Sequence, residues 1–253
     1  MMPLIIVFIV SLLIHGLVIK LCPKYNLAID VINPHSKSEN RKNHKSHKIS
    51  TPRAGGLGIF LGYLVGAWVF EFNFYFVGIT FLIFAIGFFE DIKHNVSVRL
   101  RLFLITLVSC FMLMALGDSI LMNIGFNLPF FIAIPFTIFA VTGLTNSMNI
   151  IDGVNGLSSS ISLIALFFLA EFAYAYNDAL VLNLCFVMGA AILGFFVWNF
   201  PKGRIFLGDG GAYFSGFVMA FISIILVNRN EAISPWFPVI IFAYPIVDTL
   251  FSM

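Results

Sequence analysis

Glu90 and Asp91 stand side by side in "FFEDIK", and Asp209 stands between glycines in "IFLGDGGAYFSG". A third stretch, "NSMNIIDGVNGL", sets Asn146, Asn149, Asp152 and Asn155 three residues apart, with Gly153 and Gly156 breaking the run. Carboxylates beside glycines suit a hard divalent ion. Mg²⁺ takes one or two carboxylates and completes its shell with phosphate oxygens and water. Glycines let the backbone approach a bulky anion, and the free N–H groups of a helix start attract phosphate. Phe206, just before the Gly-Asp-Gly run, offers a face for a nucleotide base, or is one more packing residue in a chain with 31 phenylalanines. Adjacent carboxylates diverge by about 100° on a helix, yet converge on one ion if the helix ends there. Arg99 and Arg101 follow the acidic pair; they either bind phosphate or anchor the next span to lipid headgroups. "TPRAGG" adds Arg53 beside Gly55 and Gly56. Each stretch read alone is also an ordinary helix cap or solvated helix end. Together they suggest a nucleoside diphosphate derivative as one substrate, a divalent cation, and a lipid as the second substrate.

The elements that must hold these groups are membrane helices. Of 253 residues, 60% are hydrophobic and only 10% are charged, against about 25% charged in soluble domains. A spanning helix needs about 20 apolar residues. Nine candidates occur, at roughly 3–21, 54–70, 72–89, 102–118, 128–145, 157–176, 179–198, 211–227 and 236–251. The expected fold is an all-α polytopic membrane protein, with residues 1–253 forming a single transmembrane domain. Nine spans place 13 of the 14 Lys and Arg residues on one face and leave Arg229 on the other. By the positive-inside rule the first face is cytoplasmic and the N-terminus lies outside. All the polar stretches fall on that cytoplasmic face.

Other classes of function are weakened. A net charge of +2 gives no case for nucleic acid. Cys22, Cys110 and Cys185 are scattered, without disulfide or zinc spacing. The first apolar stretch lacks a basic start and a small-residue cleavage site, so it reads as a retained span. The histidines of "HSKSENRKNHKSHK" read as part of a solvated basic loop over anionic lipid. His15, mid-span, reads as a hydrogen-bonded packing residue whose partner the sequence does not reveal.

"NSMNIIDGVNGL", "IFLGDGG", "TPRAGG" and the acidic pair at 90–91 resemble, in order, the motifs of the polyprenyl-phosphate N-acetylhexosamine-1-phosphate transferases, glycosyltransferase family 4. That family starts lipid intermediates of peptidoglycan, teichoic acid, enterobacterial common antigen and O-antigen. The resemblance implies a bacterial inner-membrane enzyme that moves sugar-1-phosphate from a cytosolic UDP-N-acetylhexosamine to undecaprenyl phosphate, releases UMP and requires Mg²⁺, with Mn²⁺ as a substitute. It implies that Asp209 and Asp91 hold the metal, and that Asp91, Glu90 and Asp209 are catalytic. Asn149, Asp152, Asn155 and Phe206 would bind the nucleotide, Asn199 would bind substrate, and Arg53, Lys93 and Arg204 would hold the phosphates. Glu90 and Asn155 each stand where the family pattern has aspartate. The family pattern also continues past "DTLFSM" with a His- and Arg-rich loop and a further span. The expectation is therefore a fragment or a shortened member, its activity left open.

Direct attack of the lipid phosphate on the β-phosphorus is the favoured route, since charge neutralisation and positioning dominate phosphoryl transfer. A phospho-carboxylate on Asp91 is the lesser one. The rival function is a nucleotide-sugar or lipid transporter, which broken helices also suit. The hexosamine, the glycan and the oligomeric state, a homodimer included, stay open.

Overall fold

The computed structural model describes residues 2–25, 27–30, 51–93 and 96–252. The basic stretch at 31–50, with its histidines, lies outside the described residues. The chain runs α1 (Met2–Tyr25), β1 (Ile29–Asp30), β2 (Thr51–Pro52), α2 (Gly55–Val69), α3 (Phe74–Lys93), α4 (Val98–Ala115), α5 (Phe130–Ile150), α6 (Leu157–Ala175), α7 (Ala179–Asn199), α8 (Gly208–Arg229), α9 (Trp236–Ile241) and α10 (Ala243–Ser252). The two strands pair antiparallel, Ile29 with Pro52 and Asp30 with Thr51.

Seven of these helices are long and apolar enough to cross a membrane: α1 and α3 to α8. The protein is thus a polytopic helical membrane protein. The expected second span is shorter: α2 has 15 residues, about 22 Å at 1.5 Å per residue. The expected ninth span is two helices, α9 and α10, separated at Phe242. The expected third span does form, and Asn73 explains where it starts. Its Oδ1 accepts from the Tyr75 amide at 2.8 Å, satisfying a donor at the start of α3.

Helix α8 is the axis of the bundle. It is apolar around its circumference, and such a helix belongs inside a protein. Every residue from Gly208 to Val227 is buried, and α2, α3, α5, α6 and α7 all pack against it. Within a bilayer, helices associate through close packing more than through exclusion of water. The phenylalanines supply that packing. Phe60 of α2 stacks on Phe84 of α3 at 4.4 Å and meets Phe214 of α8 edge-on at 5.3 Å. Phe76 stacks on Phe221 at 4.1 Å. The outcome is a rigid central helix whose first turn is presented to the ends of α2, α3 and α5.

Candidate active site

Asp209 occupies the first turn of α8 and is 4% exposed. Four side chains donate toward its carboxylate. The Arg101 guanidinium reaches Oδ2 at 2.7 Å, and the Asn149 amide reaches Oδ1 at 3.0 Å. Arg53 approaches Oδ1 at 3.5 Å, and the Tyr213 hydroxyl approaches Oδ2 at 3.4 Å. These residues come from α4, α5, the segment before α2, and α8 itself. Arg101 also faces Glu90 Oε1 at 3.9 Å, while Glu90 Oε2 accepts from the Val96 amide at 2.9 Å. The Arg101 Nε–H is buried without an acceptor, so the cluster holds an unused donor beside its carboxylates.

Asp91 lies next to Asp209 but faces its backbone. Its two oxygens accept from the Asp209 amide at 2.8 Å and the Gly210 amide at 2.9 Å. Amides at a helix start lack intrahelical partners, and the helix carries partial positive charge there. A carboxylate from α3 thus caps α8 from outside. Gly208 permits this. It has φ +74°, in the left-handed region, and a Cβ there would run into the Arg53 carbonyl and lie 2.6 Å from Asp91 Oδ2. Only glycine combines that conformation with that approach.

The loop before Asp209 is tied to its neighbours through the backbone. Phe206 N–H donates to Pro52 O at 2.8 Å, and the Gly55 and Gly56 amides donate to the Phe206 and Leu207 carbonyls at 2.9 and 2.8 Å. Asn199 fastens a second loop to it. Its Nδ2 donates to Ile205 O at 2.8 Å, and its Oδ1 accepts from Gly156 N–H at 2.6 Å.

The stretch at 146–157 is a broken helix. α5 ends at Ile150, residues 151–156 turn, and α6 starts at Leu157. The turn sends the polar groups to different partners. Asn149 points to Asp209, Asp152 accepts from the Ser158 hydroxyl at 2.6 Å, and Asn155 approaches Pro201 O at 3.5 Å. Burial pushes the Asp152 carboxyl up to about 7; the Ser158 hydrogen bond and the Arg53 charge oppose this shift, and the Asp209 charge adds to it.

A family model described as glycosyl transferase family 4 matches residues 73–227. This range holds Glu90, Asp91, Arg101, Asn149, Asp152 and Asp209. The chain belongs to glycosyl transferase family 4. It is similar to a probable undecaprenyl-phosphate N-acetylglucosaminyl 1-phosphate transferase of Bacillus subtilis, 32% identical over 269 residues, covering 100% of this chain and 72% of that relative. It is also similar to an undecaprenyl-phosphate alpha-N-acetylglucosaminyl 1-phosphate transferase of Thermotoga maritima, at 26% identity over 82% of this chain and 62% of the relative. A phospho-N-acetylmuramoyl-pentapeptide-transferase of Clostridium perfringens is 26% identical over 89% of this chain and 75% of its own.

Within this family framework, the residues expected at the site divide into groups. Asp209, Asp91, Glu90, Asn149 and Arg53 meet around the first turn of α8, and Asp152 lies close enough to Arg53 and Asp209 to feel their charges. Phe206 is partly buried, with its backbone bound to β2 and α2. Asn199 is buried, and its carboxamide is spent on two backbone groups. Lys93 is exposed on the last turn of α3, and exposed Arg204 lies 5.8 Å over the Trp198 ring; neither reaches Asp209. Two residues enter that the sequence reading did not place. Arg101, left between two roles there, makes the shortest contact to Asp209. Tyr213 was missed, although a position four residues after Asp209 shares its helix face.

Proposed function

We propose that this chain is the membrane transferase that its family and relatives suggest. It passes N-acetylhexosamine-1-phosphate from a nucleotide sugar to undecaprenyl phosphate and so begins a lipid-linked cell-envelope glycan. The observation that carries this reading at the site is the Asp209 cluster: one buried carboxylate, two guanidiniums and a carboxamide at the end of a membrane bundle. We take the donor to be a UDP-sugar, the cluster to lie at the cytoplasmic face of the bacterial inner membrane, and UMP to be the leaving product. A transporter is disfavoured because the polar groups gather at one end of α8, where alternating access would need them near mid-membrane.

The donor set fits Mg²⁺. Among the described residues no group of three His, Cys, Asp or Glu side chains is placed to hold a metal. The carboxylates at the site suit an ion held by one or two carboxylates with substrate phosphate. Asp209 would hold it, with Glu90, which shares Arg101 with it, as a second carboxylate. When bound, the ion would supply charge neutralisation to the diphosphate. Asp91 is better suited to positioning, since both its oxygens hold the amides of Asp209 and Gly210. Arg101 and Arg53 neutralise Asp209 and carry the donors that phosphate oxygens would take. The unpartnered Arg101 Nε–H is one of them. Asn149 and Asp152 line the approach from the broken helix, where a nucleotide would be held. Asn199 acts by joining the loops at 156 and 205. Lys93 and Arg204, both exposed, would meet phosphate or lipid headgroups.

The test is UMP release by membranes containing the chain, supplied with a UDP-N-acetylhexosamine, undecaprenyl phosphate and Mg²⁺. Release that needs both substrates supports the reading. No release with any UDP-N-acetylhexosamine contradicts it.

A further inference from the structure

His15 lies in the middle of α1 and has no exposed surface. Its Nε2 stands 2.7 Å from the carbonyl oxygen of Gly55, the first residue of α2. A carbonyl only accepts, so Nε2 carries the proton and donates. Its Nδ1 stands 3.3 Å from Ser11 Oγ, and that hydroxyl donates to Ala191 O of α7 at 2.6 Å. The ring therefore joins α1 to α2 through Nε2, while Ser11, packed beside Nδ1, separately ties α1 to α7. The space is made for it. A Cβ at Gly58 would fall into the imidazole, and one at Gly194 would come 2.6 Å from Ser11 Oγ. Phe195 closes the socket with its ring 5.5 Å from that of His15.

What His15 holds leads straight to Asp209. The amide of Gly55 itself donates to Phe206 O, and that of Gly56 to Leu207 O. Gly208 then turns the chain into Asp209. No side chain of α2 itself fixes its first turn. Ala54 provides no side-chain cap, and positions 55 and 56 have no side chains of their own. Glycine-rich backbone is conformationally free and must be pinned from outside. Hydrogen bonds left unmade in a buried, low-dielectric setting are costly, so the imidazole–carbonyl bond resists sliding of α2 along α1.

We propose that His15 is a positioning residue for the transfer reaction: through Gly55 O it fixes the first turn of α2, and so the 206–208 loop that presents Asp209. The link to catalysis rests on the transferase reading above; the link to loop position does not.

Two measurements on the full chain in lipid nanodiscs separate them. The first is amide hydrogen–deuterium exchange over residues 204–211 without substrate. His15→Leu fills the socket without a donor and should speed exchange there at least about tenfold. His15→Gln, which keeps an N–H donor, should restore slow exchange. Gly58→Ala, which leaves the histidine but displaces its ring, should behave like His15→Leu and keeps the test open if that variant does not fold. The second is steady-state kinetics, where His15→Leu should lower kcat at least tenfold with KM for undecaprenyl phosphate within about twofold, and His15→Gln should recover most of it. Unchanged exchange in both His15→Leu and Gly58→Ala, or equal defects in the Leu and Gln variants, would reduce His15 to packing and overturn the proposal. Altered exchange with no UMP from any variant, wild type included, would sink the transferase reading and leave the positioning role standing.

Discussion

The two ends of α8 are built to different specifications. At the first turn, Asp209 gathers Arg53, Arg101, Asn149 and Tyr213, while Asp91 caps the helix from α3. At the last turn, twenty residues and about 30 Å away, Arg229 pairs with Asp178 at 3.6 Å, and Asn228 donates to Ile120 O. Asp178 also caps α7 by accepting from Val181 N–H. The far end thus holds what a helix terminus asks for. The near end holds more than folding requires: a carboxylate with several donors, two of them cationic. The excess at one end, beside a sparse end of the same helix, is the physical reason to place chemistry at Asp209.

Asp209→Asn should give the largest separation between the ends. UMP release should fall on the order of a thousandfold, as when a principal electrostatic group is removed from a reaction centre. The melting temperature should stay close to wild type, because the released guanidiniums retain access to solvent. Asp91→Asn should be nearly as damaging to turnover and should also destabilise the fold. It replaces one acceptor of a charge-assisted pair by a donor facing a donor, a loss of about 1.5–3 kcal/mol, readable as a lower melting temperature in detergent. A large activity loss without any stability loss would return Asp91 to direct chemistry.

The comparison also shows what the sequence could and could not reveal. The near end was marked by residue type: Asp209 between glycines, the acidic pair and the Asn/Asp run all point to one place. Partner choice within it was not marked. Nothing in "FFEDIK" says that Asp91 turns its oxygens to backbone amides, because that depends on how α3 crosses α8 at Gly87, where a Cβ would strike the Asp209 carbonyl. Arg101 looked equally suited to headgroups, since a sequence gives its helix face but not the neighbour. Asn199 was expected to bind substrate, and the sequence did not show that its carboxamide joins two loops from within. Helix breaks were legible where glycine made them, as at 151–156. The break at Phe242 was marked by Pro245, whose missing N–H leaves the Ile241 carbonyl without its helical partner, but the apolar run across it reads as one span. α2 matches the expected span 54–70 to within a residue at each end, and Glu71 lies just past it.

Asp152 adds a pH dependence to the near end. Its carboxyl is raised by burial to about 7, from 3.8 in the open chain. A raised folded value favours the protonated folded state, so this contribution to stability is full below about pH 4 and is lost as pH rises to about 7. Asp152→Asn should therefore flatten the dependence of melting temperature on pH between those limits. An unchanged slope would mean that Asp152 is better solvated than its surroundings suggest. At the far end, Arg229→Gln should be the mildest change. A half-exposed pair is worth at most about 1 kcal/mol, and turnover should stay within about twofold. A large activity loss there would erase the contrast between the ends.

The most direct test is the UMP released per lipid-linked sugar formed by the full chain with undecaprenyl phosphate and a UDP-N-acetylhexosamine, with and without Mg²⁺. The expected result is one UMP for each lipid product, formed only with the metal and abolished by Asp209→Asn. Equal UMP release from wild type and Asp209→Asn would contradict the account.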